Sequence, residues 1–137
     1  MNKNIEIINH TADTGIIVKG KTIEEIFINS LKGLYEIMGV KSNGKESIME
    51  INLKSEELEN LLVKFLNEMI YYMETKKMSG EIKEIKIDFK NNEYNLFAKL
   101  KMQKVEKIEK EVKATTYHNL KIKKLDNQYT TTIIFDL

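Results

Sequence analysis

The apolar residues of this chain change period at Glu81, from helical spacing before it to strict alternation after it. Ahead of that point, Ile23, Ile26, Phe27, Leu31, Leu34 and Met38 recur at the spacing of one helix face. Leu58, Leu61, Leu62, Phe65, Leu66, Met69 and Met73 do so again, giving the clearest stripe in the sequence. Beyond it, Ile85, Ile87 and Phe89 share one face of a strand, and Tyr94, Leu96, Ala98, Leu100 and Met102 share one face of the next. A stripe of Leu, Phe and Met at helical spacing is read as core packing, not as a cofactor box.

Boundary signals fit this pattern. Thr22 with Glu25 makes a capping box for the first helix, and Gly39 ends it. Ser55, with Glu56 and Glu57 in the first turn, announces the second helix, and Lys76, Lys77 and Gly80 close it. Two strands, Ile5–His10 and Gly15–Gly20, open the chain around Thr11-Ala12-Asp13-Thr14, which sets His10 and Asp13 at a loop. A Gly-containing loop at Ser42–Lys45 precedes a strand near Ile48–Leu53. Asn91-Asn92 is a hairpin turn, and further strands are expected at Val105–Lys113, Leu120–Leu125 and Tyr129–Phe135, the last two joined around Asp126-Asn127. The expected fold is α+β: a mainly antiparallel β-sheet with two amphipathic helices packed on it, in a single compact domain over residues 1–137. Repeats, low-complexity tracts and linkers are absent from the sequence.

Composition removes several function classes. With 137 residues, folding hides roughly two-thirds of the unfolded surface, enough for a real core. The lack of cysteine excludes thiolate catalysis, zinc-thiolate sites and disulfides, and fits an intracellular protein. No window resembles the roughly 20 apolar residues of a membrane span, and Met1-Asn2-Lys3-Asn4 leads straight into a strand, so the cytoplasm is the expected compartment and no membrane partner is expected. The net charge is +1, and every basic residue is Lys, which lacks the forked guanidinium favoured for two-pronged phosphate or base recognition. A dedicated DNA or RNA reader is disfavoured. Residues 99–124 hold nine Lys against three Glu, but these alternate with apolar residues as solvated strand faces do, and stacking aromatics are nearly absent.

Few residues can carry chemistry. Both histidines, His10 and His118, lie in polar clusters beside strands, although a surface histidine is more often simply exposed or bonded to backbone. At the tail, Asp136 and the α-carboxylate of Leu137 set two anions side by side. Such a pair repels unless a partner neutralises it, and a divalent cation turns the repulsion into attraction. If the fold brings Asp13 alongside, three carboxylates meet, a set suited to a hard cation such as Ca²⁺, Mg²⁺ or Mn²⁺. A solvated, frayed terminus is the plain alternative.

His10-Thr11-Ala12-Asp13-Thr14-Gly15 resembles the opening motif of the archease family, and Glu111-Val112-Lys113-Ala114-Thr115-Thr116-Tyr117-His118 resembles its lysine-alanine-x-threonine-tyrosine-histidine segment. Phe27–Leu34 and Leu61–Glu68 resemble that family's helices, and the chain stops on Asp and one aliphatic residue as archeases do. It departs at Leu100–Lys104, where the family usually carries a glycine-glutamate pair.

The resemblance implies a metal site of Asp13, Asp136 and the Leu137 carboxylate, with Ca²⁺ expected ahead of Mg²⁺ or Mn²⁺. It marks Lys113 as needed for activity, with His10 and His118 as supporting residues. The implied function is a non-catalytic one: activating an RtcB-type RNA ligase by promoting its GTP-dependent guanylylation and turnover in tRNA splicing or RNA repair. The tRNA or broken RNA is then met only through the ligase. Two other readings are a chaperone-like modulator of another RNA-modifying enzyme, such as a tRNA methyltransferase, and a stand-alone metal-dependent phosphoesterase using Asp13, Asp136, His10 and His118. With four Asp in the whole chain, the last has few ligands to draw on.

Overall fold

A computed structural model describes residues 4–9 and 13–137, with Asn9 in its backbone only. The order of elements is β1 (Ile5–Asn9), β2 (Asp13–Gly20), α1 (Ile23–Met38), β3 (Lys41–Ser55), α2 (Leu58–Lys76), β4 (Met78–Lys90), β5 (Glu93–Lys107), β6 (Ala114–Thr115), β7 (Lys123–Leu125) and β8 (Gln128–Asp136). All pairings are antiparallel, as the alternating pattern implies. The strands form two sheets. One runs β1-β2-β8-β6, with β7 on the same edge of β8 as β6; the other runs β3-β5-β4.

Both helices bury their stripes in one core shared by the two sheets. Phe27 of α1 and Phe65 of α2 are fully buried, with ring centroids 6.0 Å apart, so the two helices lock where their stripes cross. Ile16 and Val18 of β2, Ile133 and Phe135 of β8, and Leu96, Ala98, Leu100 and Met102 of β5 supply the sheet side. Burying each of these side chains other than Ala98 contributes about 1.5–3 kcal/mol, which explains why these pleats fix the strand register.

Helix α1 starts and stops where its sequence signals stand. The Thr22 side chain accepts the Glu25 N–H, and Gly39 adopts the left-handed conformation at φ 61°. Glu25 reaches back to the Lys21 N–H and not to Thr22, so only half of the capping box closes.

Elsewhere the boundaries move. Ser55 ends β3, and α2 begins after Glu57, whose side chain makes no cap; the Ser55 hydroxyl still accepts the Glu57 N–H at 3.4 Å. The helix ends on Lys77 in a left-handed conformation, while Gly80 lies inside β4. The expected loop at Ser42–Lys45 is part of β3, because a register shift between Asn43 and Glu46 absorbs it without breaking the pairing to β5. The strand expected at Val105–Lys113 stops with β5 at Lys107: just beyond it the N–H groups of Glu109 and Lys110 donate to Met38 at the end of α1. The strand expected at Leu120–Leu125 shrinks to Lys123–Leu125, since the Ile122 N–H is taken by Glu59 of α2. Asp13 is the first residue of β2, not a loop residue, because the pairing to β8 continues to its very end.

Candidate metal-binding strand ends

Three strand ends meet at one edge of the larger sheet. Asp13 of β2 stands opposite Asp136 of β8, and Ala114 of β6 stands opposite Asp136 on its other side. The register thus lays Asp13, Asp136 and Ala114 in a row. One position along, Thr14, Phe135 and Thr115 form a second row, and all three are buried. Because side chains alternate across a strand, the first row faces away from the core. Asp136 is exposed and Asp13 half-buried, as that placement requires.

Directly opposed residues in an antiparallel pair have Cβ atoms about 5 Å apart, and like charges there destabilise the pairing. Asp13 and Asp136 are such a pair, and Ala114 adds no bulk or charge that could relieve it. Leu137 follows immediately, half-buried, its side chain packed against the core. Oxygen donors on adjacent strand ends are the donor set of a hard cation, and the repulsion between them is what a cation would cancel. The residues present therefore fit a divalent ion. Among the described residues, no group of three or more His, Asp or Glu side chains forms a metal cage, so a third donor must come from outside that set.

Gly15 is what lets β2 approach β8 so closely beside the acidic pair. A Cβ there would sit 2.7 Å from Ile134 Cδ1 and 2.8 Å from the Ile133 carbonyl oxygen.

Lys113 is placed through its backbone: its N–H donates to the Asp136 carbonyl at 2.9 Å, and its side chain is solvent-exposed. Two residues further, the Thr115 N–H donates to Asn67 Oδ1 of α2 at 2.7 Å, while the buried Thr115 hydroxyl is without a partner among the described residues. Thr116 donates both its N–H and its hydroxyl to the Ile134 carbonyl, at 2.9 and 3.0 Å. His118 lies beyond, exposed in a turn, its N–H donating to Thr116 Oγ1 and its Nε2 lying 3.4 Å from Asn119 Nδ2. Among the described residues, no hydrogen bond joins His118 to Asp13 or Asp136. His10 lies outside the described residues.

Sequence reasoning picked out the row's acids and Lys113 but not the three α2 residues that hold the neighbouring segment: Glu59, Asn60 and Asn67. Their only mark in the sequence is that they are polar on a helix read for its apolar side.

An α+β fold with two helices over antiparallel sheets, and with strand-terminal carboxylates in register, defines a class of small proteins that carry a candidate site at the sheet edge. The model of the Archease protein family (MTH1598/TM1083) matches residues 5–137. The chain belongs to the archease family. Archeases of Methanosarcina barkeri and Thermococcus kodakarensis are 32% and 37% identical to it, the first over 98% of this chain and 97% of its own, the second over 93% and 94%. The solution structure of Methanobacterium thermoautotrophicum protein 1598 superposes with a TM-score of 0.78 at 27% identity, covering 99% of this chain and 100% of that one. The Thermotoga maritima crystal structure, described as an archease and possible chaperone, gives 0.71 at 27% identity, covering 95% and 94%.

Proposed function

We propose that this archease is a metal-binding accessory protein that activates an RtcB-type RNA ligase, promoting its GTP-dependent guanylylation and turnover in tRNA splicing or RNA repair, and that it joins no RNA itself. The observation that carries this reading is the register of Asp13 against Asp136. The two carboxylates and the α-carboxylate of Leu137 would hold a divalent cation, Ca²⁺ first among the hard cations, and a bound cation supplies charge neutralisation toward phosphate oxygens. Asp13 and Asp136 share the row that faces away from the core, Asp136 exposed and Asp13 half-buried, where a partner protein could reach them. Lys113, exposed and anchored to the Asp136 carbonyl, adds a cation able to orient a carboxylate or phosphate of that partner. His118 and His10 are assigned supporting roles. No described helix is long and apolar enough to cross a membrane, and the site of action we assign is the cytoplasm.

The test is guanylylation of the cognate ligase with and without this protein. Asp13→Ala and Asp136→Ala should each abolish the stimulation while retaining the fold, and adding residues after Leu137 should weaken cation binding by displacing its carboxylate. Stimulation undiminished in Asp13→Ala would refute the reading. The words "possible chaperone" attached to the Thermotoga maritima relative favour a second reading, a chaperone-like modulator of another RNA-modifying enzyme such as a tRNA methyltransferase. Under it, the protein would keep that enzyme soluble on heating and leave ligase guanylylation unchanged.

A further inference from the structure

Among the described residues, strand β6 has a sheet partner on one side only. Lys113 and Thr116 send their N–H groups to Asp136 and Ile134 of β8, whereas the Thr115 N–H between them points to α2. There it meets the side-chain oxygen of Asn67 at 2.7 Å. A buried N–H needs an acceptor, and at this edge Asn67 serves as the missing strand. The same helix makes two more contacts with the segment that follows: Tyr117 donates its hydroxyl to Asn60 Oδ1, and the Ile122 N–H donates to Glu59 Oε2 at 3.0 Å. Asn60 and Asn67 lie seven positions apart, close to two helical turns, and so on one side of α2. Its apolar side fills the core while this polar side clamps residues 115–122.

We propose that Asn67 is a positioning residue that fixes Lys113 at the height of Asp136. Strand β6 is only two residues long, Ala114–Thr115. A pairing that short specifies register weakly, and a slip of one residue turns every side chain to the other face. Among the described residues the Lys113 side chain has no partner to resist such a slip, so its place depends on the backbone that Asn67 holds from the far side. Asp13 and Asp136 depend instead on the eight-residue pairing of β2 with β8, which does not involve α2. The clamp therefore governs the lysine and not the carboxylates. Its link to activity rests on the ligase reading above; its link to geometry does not.

The test is amide hydrogen exchange on the full chain, joined to the guanylylation assay and to calorimetric cation binding. In Asn67→Ala, exchange at Thr115 and at Lys113 is expected to quicken about tenfold, the loss of one hydrogen bond, while amides of the β5 core keep their protection. Asn67→Gln, which carries the amide one carbon further, should do the same. Asn67→Asp keeps the acceptor in place and should restore protection. Ligase stimulation should fall with the exchange result and recover in Asn67→Asp, with cation affinity unchanged in Asn67→Ala. Wild-type protection at Lys113 in both Asn67→Ala and Asn67→Gln overturns the proposal, as does failure of Asn67→Asp to restore it. A wild-type protein that stimulates no ligase sinks the ligase reading, and the exchange data then decide the role of Asn67 by themselves.

Discussion

Asp13 and Asp136 occupy one register position, the first residue of β2 against the last of β8. More than a hundred residues separate them in sequence, yet the fold gives them the spacing of a cross-strand pair. Two like charges so placed weaken the pairing they terminate, and under the function proposed above the same placement would make them a chelating pair. On that reading, stability without cation and affinity for cation are set against each other at this edge.

Asp13→Asn accordingly acts in opposite directions in two buffers. In chelator it removes the repulsion and raises the melting temperature by about 1–3 °C. With Ca²⁺ at about 100 times its dissociation constant, the wild type gains about 2.7 kcal/mol, on the order of 10 °C, and the variant gains almost nothing. Thermal unfolding in both buffers checks this, and equal Ca²⁺-induced shifts for the two proteins would exclude Asp13 as a ligand.

Gly15→Ala tests how tightly β2 is laid on β8. The added carbon would lie 2.8 Å from the Ile133 carbonyl oxygen, a backbone atom that cannot swing aside as Ile134 Cδ1 can. The sheet must part locally, at a cost of about 1–3 kcal/mol, as in other overpacked sites. Because the opening falls two residues from Asp13, cation affinity should drop as well. Urea unfolding and calorimetry check the two effects, and a variant as stable as wild type would mean that the strands have room to move.

The helices and the central strands were legible in sequence because burial imposes a period, and the period survives in the order of Leu61 to Met73 or Leu96 to Met102. The acidic pair was legible as residue types but not as a place: Asp13 lies at the start of β2 and not in the turn, since pairing with β8 extends the strand beyond what its composition signals. Residues 108–113 and 120–122 misled for a related reason. They read as strand, but Met38 and Glu59 take N–H groups that a neighbouring strand would otherwise have taken. Side-chain acceptors supplied by a distant helix leave no periodic trace, so the clamp on β6 could be seen only in three dimensions.

Thr115→Val probes a cost left standing in this clamp. Thr115 is 4% exposed and its hydroxyl has no partner among the described residues, although the backbone N–H groups of Thr115 and Thr116 are bonded. Burying an unpaired hydroxyl costs about 1–3 kcal/mol, and replacing it by a methyl group of like shape removes that cost. The expected outcome is a gain of about 1 kcal/mol in denaturant unfolding, with ligase stimulation retained. Unpaired polar groups cluster at functional sites, so a variant that is stabilised yet fails to stimulate would assign the hydroxyl to contact with the partner.

Tyr35 sets how the fold responds to alkali. Burial pushes its phenol up to about 12 from the ordinary value of 10.0, opposed by the Gly80 N–H, which donates to its oxygen at 2.9 Å. In the unfolded chain the phenol ionises first, so its contribution is fully present below pH 10 and is lost as pH rises toward 12. The slope approaches about 1.4 kcal/mol per pH unit, or about 2 kcal/mol across the window. Tyr35→Phe should lose about 1 kcal/mol at pH 7, where the Gly80 N–H is left without its acceptor, and then fall less steeply than wild type above pH 10. Denaturant unfolding of both proteins at pH 7, 10 and 11 measures the difference. Parallel stability curves would show that alkali acts through other groups and that Tyr35 ionises alike in the folded and unfolded chain.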